Sequence, residues 1–406
     1  MTYSPALTRV EKGSLCSGCG LCEGIAEGSI RMQSRAPGFL RPEQSEPIVP
    51  IQEEKIRECC PGLKVEPWCG GKDDGVHPYW GPIRDSMTGF AVDETIRFRC
   101  SSGGAISALA MHALETSRVE QVLHIGPDPK APLGNVTILS RSAEEILEGA
   151  GSRYAPSSPL QDVEKLLDAG VPTLFIGKPC DVSALRRLGR IDPRVDEVFP
   201  IKLSFFCGGV PSHQGARNIV ASMGLDHETV AQFDFRGNGW PGPTVARDMD
   251  GRHAEMEYEE SWGRYLSNEV QFRCKICPDP VGGVADIACA DAWYGGESGY
   301  PQFAEAEGRS LILARSKVGR RLLQDATMAG YLVVQNLDPR EIDLMQPAQA
   351  RRKRLIAARM AACRLANRPV PDTRNLQVAT AARQASIGAL AREFLGTVRR
   401  IIQGRI

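Results

Sequence analysis

Apolar and polar positions alternate between two periods along the middle of the chain. Short apolar runs at Gln121–Ile125, Thr173–Ile176 and Ile201–Phe206 predict buried strands, as do Leu311–Ala314 and Tyr331–Val334. Runs of helical period separate them, at Ala105–Glu115, Ala143–Glu148, Leu160–Ala169, Asp181–Leu188 and Gly319–Ala329. This alternation predicts an α/β core built on a sheet. Ligands of such sheets gather at the carboxyl ends of the strands. Ahead of the core, Ile30–Met32 and Gly38–Pro42 read as strand, turn, strand. Behind it lie two helical stretches around the break Asn367-Arg-Pro-Val-Pro. In the second, Ile387, Leu390, Phe394, Val398 and Ile401 form one apolar stripe flanked by Arg392, Arg399 and Arg400, an amphipathic basic helix.

These breaks divide the chain into segments 1–75, 76–170, 171–345 and 346–406, with Gly70–Pro78 as a linker. A chain of 406 residues is long enough for two or three domains with their own cores. No run of about 18 apolar residues occurs, so no transmembrane helix is expected. Met1–Lys12 has no apolar signal core, so a cytoplasmic location with reduced thiols is expected. Thirteen cysteines in that setting point to metal, cluster or catalytic use rather than disulfides. The net charge is zero but unevenly spread: from Arg351 onward there are thirteen Lys/Arg against two acids. Such a tail either meets an anionic surface, a peripheral membrane contact included, or docks on the chain's own acidic body. Nucleic acid is not an expected partner.

The cysteines carry the chemistry. Cys16-Ser-Gly-Cys19-Gly-Leu-Cys22 has the spacing of the first three ligands of a ferredoxin-type 4Fe–4S run. The place of a fourth is taken by Ala26, so the closing ligand is expected from Cys59-Cys60-Pro-Gly, with Cys60 favoured and Cys59 its rival. Farther along, Cys274-Lys-Ile-Cys277 offers two thiolates to one centre, and Cys180 and Cys207 each close an apolar strand-like run. Four thiolates brought together in this way suit a second cubane cluster, with Cys289 as the rival to Cys207. Zinc is the alternative use of such turns.

Two loops suit a nucleotide. Ser101-Ser102-Gly103-Gly104 precedes a helix and offers free N–H groups and the positive helix end to a pyrophosphate, although a plain serine N-cap is the commoner use. Gly151-Ser152-Arg153-Tyr154 combines small residues for close approach with an arginine and a tyrosine for phosphate or ring contact. Lys178, beside Cys180, is the candidate catalytic residue, placed to stabilise negative charge on a reduced flavin. Asp279, Asp286 and Asp291 suit turn capping as well as catalysis.

In order and spacing, these motifs together with Gly177-Lys-Pro-Cys180, Phe206-Cys207 and Cys274-Lys-Ile-Cys277-Pro-Asp resemble the coenzyme F420 hydrogenase/dehydrogenase beta-subunit family over about residues 14–335. The resemblance implies a mixed α/β flavin-binding core whose family N-terminal and C-terminal domains are segments 76–170 and 171–345. A ferredoxin-like iron–sulfur segment would precede it and a basic helical tail would follow. It implies two 4Fe–4S clusters and FAD, with Cys16, Cys19, Cys22 and Cys60 holding one cluster and Cys180, Cys207, Cys274 and Cys277 holding the flavin-proximal one. The implied activity is an oxidoreductase exchanging hydride with coenzyme F420 or another organic substrate, its electrons shared with a ferredoxin or a partner redox subunit. Members with similar wording and tails also suggest a role near surface-polysaccharide synthesis. An electron-transfer subunit with no substrate of its own, and a zinc-stapled interaction protein, are the competing classes.

Overall fold

In the computed structural model, residues 2–68, 76–295, 302–303 and 305–404 are described. Cys69 and most of the expected linker lie outside them. The core is an eight-stranded mixed sheet. Its strands in chain order are β1 (Asp85–Ala91), β2 (Gln121–Pro127), β3 (Asn135–Ser140), β4 (Thr173–Ile176), β5 (Ile201–Phe205), β6 (Ile287–Asp291), β7 (Ser310–Ala314) and β8 (Leu332–Asn336). Across the sheet they run β8-β1-β7-β6-β5-β4-β2-β3. The four central strands β2, β4, β5 and β6 are parallel, and antiparallel strands complete both edges.

Both faces are covered, which is why the central strands read as unbroken apolar runs. On one face, helices Ala105–Glu115 and Lys317–Met328 bury Leu109, Leu322 and Leu323 against Leu174, Leu203 and Ile312. On the other, helices Pro179–Leu188 and Val163–Ala169 pack Leu185 and Val163 over Leu123 and Phe175. The N-terminal segment joins this second layer. Its helix Pro5–Lys12 starts at Ser4, whose hydroxyl accepts the Leu7 N–H at 3.1 Å, and it turns Ala6 and Leu7 inward. A hairpin of Ile30–Arg35 and Phe39–Gln44 and helix Pro50–Cys59 complete the segment.

A three-stranded antiparallel sheet, Val230–Asp234, Thr244–Asp248 and His253–Met256, stands beside the core and carries the Phe235–Gly242 loop. The C-terminal region is helical, at Pro347–Leu365, Val378–Ala382 and Ile387–Ile402. The last of these packs on the first, with Thr397 buried between them and Glu393 accepting from Arg359 at 2.7 Å. Of its apolar stripe, only Ile387 stands clear of the protein, 86% exposed. Among the described residues no helix is long and apolar enough to cross a membrane.

Candidate functional site

Eight of the cysteines fall into two groups. In the first, Cys16, Cys19, Cys22 and Cys60 line one small void walled by Leu7, Val10, Ile25 and Ile56. Two left-handed glycines, Gly18 and Gly20, both at φ +83°, let the loop wrap the void, and the Gly18 N–H donates to Cys16 Sγ at 3.4 Å. Burial pushes the Cys60 thiol up to about 11, and the neighbouring Cys16 adds to the effect. Cys59 faces the packed core beside Arg187 and does not line this void.

In the second group Cys207 lies electrostatically beside Cys274 and Cys277, and Cys180 beside Cys207 and Cys274. Cys180 opens helix Pro179–Leu188 after β4, and Cys207 follows the end of β5, so both stand at carboxyl ends of adjacent parallel strands. Asp279 caps the turn after Cys277, accepting from the N–H of Gly283 at 2.9 Å and of Val281 at 3.3 Å. The tail closes this region from outside. Arg352 donates to the carbonyls of Cys207 (3.0 Å) and Gly208 (2.7 Å), Gln349 to Cys207 O (3.1 Å), and Lys353 to Pro278 O (2.7 Å). Arg352 and Lys353 thus meet backbone carbonyls, while Arg351, Arg359 and Arg400 pair with Glu393, Arg354 with Asp343 and Arg374 with Asp372. Cys289 sits within β6, with Arg315 as its charged neighbour, and burial pushes its thiol up to about 12.

Between the two edges of the sheet a cleft enclosing about 1500 Å³, its open mouth included, runs over the carboxyl ends of the parallel strands. Ser101, Ser102, Gly104, Gly151–Tyr154, Lys178 and Cys207 all line it, and the Ser152 N–H donates to Ser101 Oγ, so the two loops touch. Neither serine caps the following helix. Ser101 donates to Arg236 O at 3.2 Å and Ser102 to Arg309 O at 3.0 Å, while the N-cap is Gly104 at φ +75°, with no side-chain cap. The first-turn N–H groups of helix Ala105–Glu115 therefore have no capping side chain at the cleft. Gly103 serves the sheet instead: its N–H donates to Ser310 Oγ at 3.0 Å and its carbonyl accepts from Ala91 at 2.7 Å.

Arg153 lines the cleft, but its guanidinium is engaged by the protein. It donates to Asn135 Oδ1 (3.0 Å) and to the carbonyls of Phe233, Pro132 and Gly134 (2.7–2.8 Å). Tyr154 packs against Trp262 and Phe235. Lys178 is 6% exposed, its ammonium 2.8 Å from Asp181 and 2.8 Å from Ser157 Oγ. Burial works against its charge, but Asp181 and Cys180 outweigh it, so the ammonium is held protonated.

Asp286 is structural, accepting from Lys202 N at 2.8 Å and pairing with Arg186 at 2.9 Å. Asp291, at the end of β6, holds Arg236 at the cleft mouth. Arg236, Gln271 and Arg273 were not among the candidates. Each is an arginine or glutamine beside a motif, and the one available signal was a polar residue inside an otherwise small or cysteine-bearing loop.

Family models match at residues 86–164, "Coenzyme F420 hydrogenase/dehydrogenase, beta subunit N-term", and at 172–340, the corresponding C terminus. The chain belongs to the coenzyme F420 hydrogenase/dehydrogenase beta-subunit family. It is 26% identical over 262 residues to the F420-dependent formate dehydrogenase subunit beta of Methanocaldococcus jannaschii, covering 64% of each chain. It is 22% identical over 311 residues to the chloroplastic 7-hydroxymethyl chlorophyll a reductase of Oryza sativa, covering 76% of this chain and 60% of that protein. With the coenzyme F420 hydrogenase subunit beta of Methanococcus voltae the identity is 24%, over 68% of this chain and 92% of the relative. The chain thus spans under two thirds of the first two relatives. Its fold is similar to a chain of the F420-reducing [NiFe] hydrogenase complex from Methanosarcina barkeri, at a TM-score of 0.50 and 20% identity, over 69% of this chain and 94% of that one.

Proposed function

We propose that this protein is an iron–sulfur flavoprotein oxidoreductase that passes electrons between two cysteine-held 4Fe–4S clusters and FAD, with hydride exchange to coenzyme F420 or another organic substrate. The observation that carries the reading is the convergence of eight cysteines into two groups, the second of which shares Cys207 with the floor of the cleft. Four soft thiols around one apolar void are a suitable donor set for a cubane. Among the described residues no three His, Cys, Asp or Glu side chains converge on one point to hold a single metal ion.

The uncapped helix N-terminus at the cleft suits the pyrophosphate of FAD. When bound, a flavin couples two-electron hydride chemistry to the one-electron steps of clusters. The chain's own part is positional. Lys178, paired with Asp181, shares the cleft lining with Cys207, and Ser101, Ser102, Gly104 and Gly151–Tyr154 would line a bound flavin. A ferredoxin or a partner redox subunit is the electron source or sink. The names of the relatives, several of them beta subunits, favour a second reading in which the chain relays electrons inside a complex and has no substrate of its own.

Anaerobic purification with iron, sulfide, zinc and flavin assays tests the proposal. Two cubanes and one flavin give about eight iron and one FAD per chain, and Cys274→Ala removes half of the iron. Zinc without iron or flavin sinks it. Ferredoxin and F420 are the acceptors to try first. Activity with neither, together with obligate co-purification with a partner, selects the second reading.

A further inference from the structure

Two buried side chains lie between the cysteine groups, and neither has its hydrogen bonds complete. Gln271, 3% exposed, precedes the short helix Phe272–Lys275. Its amide nitrogen lies 3.4 Å from Ser17 O, in the first cysteine loop, and 3.6 Å from Cys274 Sγ, in the second. Its side-chain oxygen finds no partner among the described residues. Arg273, 2% exposed, donates from one terminal nitrogen to the carbonyl of Pro61, next to Cys60, at 2.8 Å. Its Nε and other terminal nitrogen have no partner among the described residues, and no carboxylate there pairs with it. Yet it acts electrostatically on Cys16 and Cys60 in one group and on Cys277 in the other.

A buried guanidinium with open donors and no counter-ion is costly unless an anion faces it. The negative charge available on both sides is that of the two cysteine centres. A cluster ligated by four thiolates is a net anion, and a cation beside it stabilises its reduced form. We infer that Arg273 is a shared electrostatic positioning residue, raising the reduction potential of both centres at once, and that Gln271 ties the two cysteine loops into one unit. This rests on the two-cluster reading above. Because one charge serves two sites, it keeps their potentials in step, which suits a relay in which an electron passes from one centre to the other.

The test is a redox titration of the anaerobically purified full-length protein, followed by EPR, with iron content measured alongside. Arg273→Met should keep its iron and shift both centres to lower potential together. Removing a unit charge near each at an effective dielectric of about 20 changes the reduced-to-oxidised ratio roughly tenfold, which for one electron is about 59 mV. Arg273→Lys, which keeps the charge, should stay near the wild type. Unchanged potentials in an iron-replete Arg273→Met protein, or a shift confined to one centre, overturn the inference. If Arg273→Met loses iron, Arg273→Gln decides: a joint fall of both potentials supports the inference, and no shift or a shift at one centre overturns it. A wild-type protein that takes up no iron and sulfide overturns the two-cluster reading instead.

Discussion

Arg236 grips Asp291 through two parallel hydrogen bonds, Nη1 to Oδ2 at 2.9 Å and Nη2 to Oδ1 at 2.7 Å, at the mouth of the cleft. The guanidinium is 3% exposed and lies over the rings of Tyr258 and Trp293, while Trp240 Nε1 donates to the same carboxylate at 2.8 Å. One pair thereby ties the side sheet's Phe235–Gly242 loop to the end of β6. Removing one partner leaves the other buried and unpaired. Asp291→Ala should therefore cost about 3–5 kcal/mol in urea unfolding. The double substitution Arg236→Met with Asp291→Leu should recover part of that loss. Additive effects in the double-mutant cycle would show that the pair is not coupled.

Gly103 belongs to a motif chosen for phosphate contact, and the structure gives it a different task. A Cβ there would lie 2.6 Å from Gly89 O and 2.7 Å from Ser310 N, in the backbone of β1 and β7. Neither neighbour is a flexible side-chain end that could yield. Gly103→Ala should lower stability by roughly 1–3 kcal/mol, with the unfolding midpoint moving before any ligand is added. The control is Ser102→Ala, which lines the cleft and loses one hydrogen bond to Arg309 O. A Gly103→Ala protein as stable as the wild type, with impaired flavin retention alone, would return the glycine to the binding surface.

Much of the core was legible because its signals are local. Helices Ala105–Glu115 and Ala143–Glu148 and strand Thr173–Ile176 fall where the hydrophobic pattern puts them. The grouping of Cys16, Cys19 and Cys22 was legible because two-residue spacings keep cysteines on one loop. β1 was not. Its residues Asp85-Ser-Met-Thr-Gly-Phe-Ala mix polar and small side chains, and it gains its place by pairing with β7 and β8, more than 200 residues away. The side sheet pairs locally, but Val230–Asp234, Thr244–Asp248 and His253–Met256 likewise mix polar with small and apolar side chains. The fate of Arg153 and Arg352 was hidden more deeply. Both are satisfied largely by backbone carbonyls, and a carbonyl acceptor has no signature in residue type. In the tail, Arg352 and Lys353 seat on loop carbonyls while Arg354 and Arg359 find acids, a division that residue type does not reveal.

His124, in β2, gives the fold an acid limit. Its Nε2 lies 2.7 Å from Ser140 Oγ, both residues are buried, and burial depresses its pKa to about 4. The folded state keeps the ring neutral where the unfolded chain, with an ordinary value of about 6.5, takes up a proton. Its contribution is complete above pH 6.5 and is lost as the pH falls toward 4, to a total of about 3 kcal/mol. His124→Gln should flatten the pH dependence of the unfolding free energy in that window. An unchanged slope between pH 6.5 and 4 would place the acid sensitivity elsewhere.

The tail makes a prediction that separates the two cysteine groups. Arg352 reaches back from helix Pro347–Leu365 to the carbonyls of Cys207 and Gly208, and Lys353 reaches Pro278 beside Cys277. Among the described residues Arg352 and Lys353 make no hydrogen bond to the first group, which the tail meets through the apolar packing of Ile356, Met360 and Cys363 with Cys16 and Cys60. Each charge-assisted bond that is lost should cost about 1.5–3 kcal/mol locally, enough to raise the opening frequency of the Cys207 loop by more than tenfold. Under a chelator, Arg352→Ala should release about half of its iron faster than the wild type, with the other half unchanged. Cys274→Ala marks which half belongs to that centre: combining it with Arg352→Ala should abolish the fast phase. Equal acceleration of both halves would mean that the tail stabilises the whole fold, and that its seat on the Cys207 loop has no separate role.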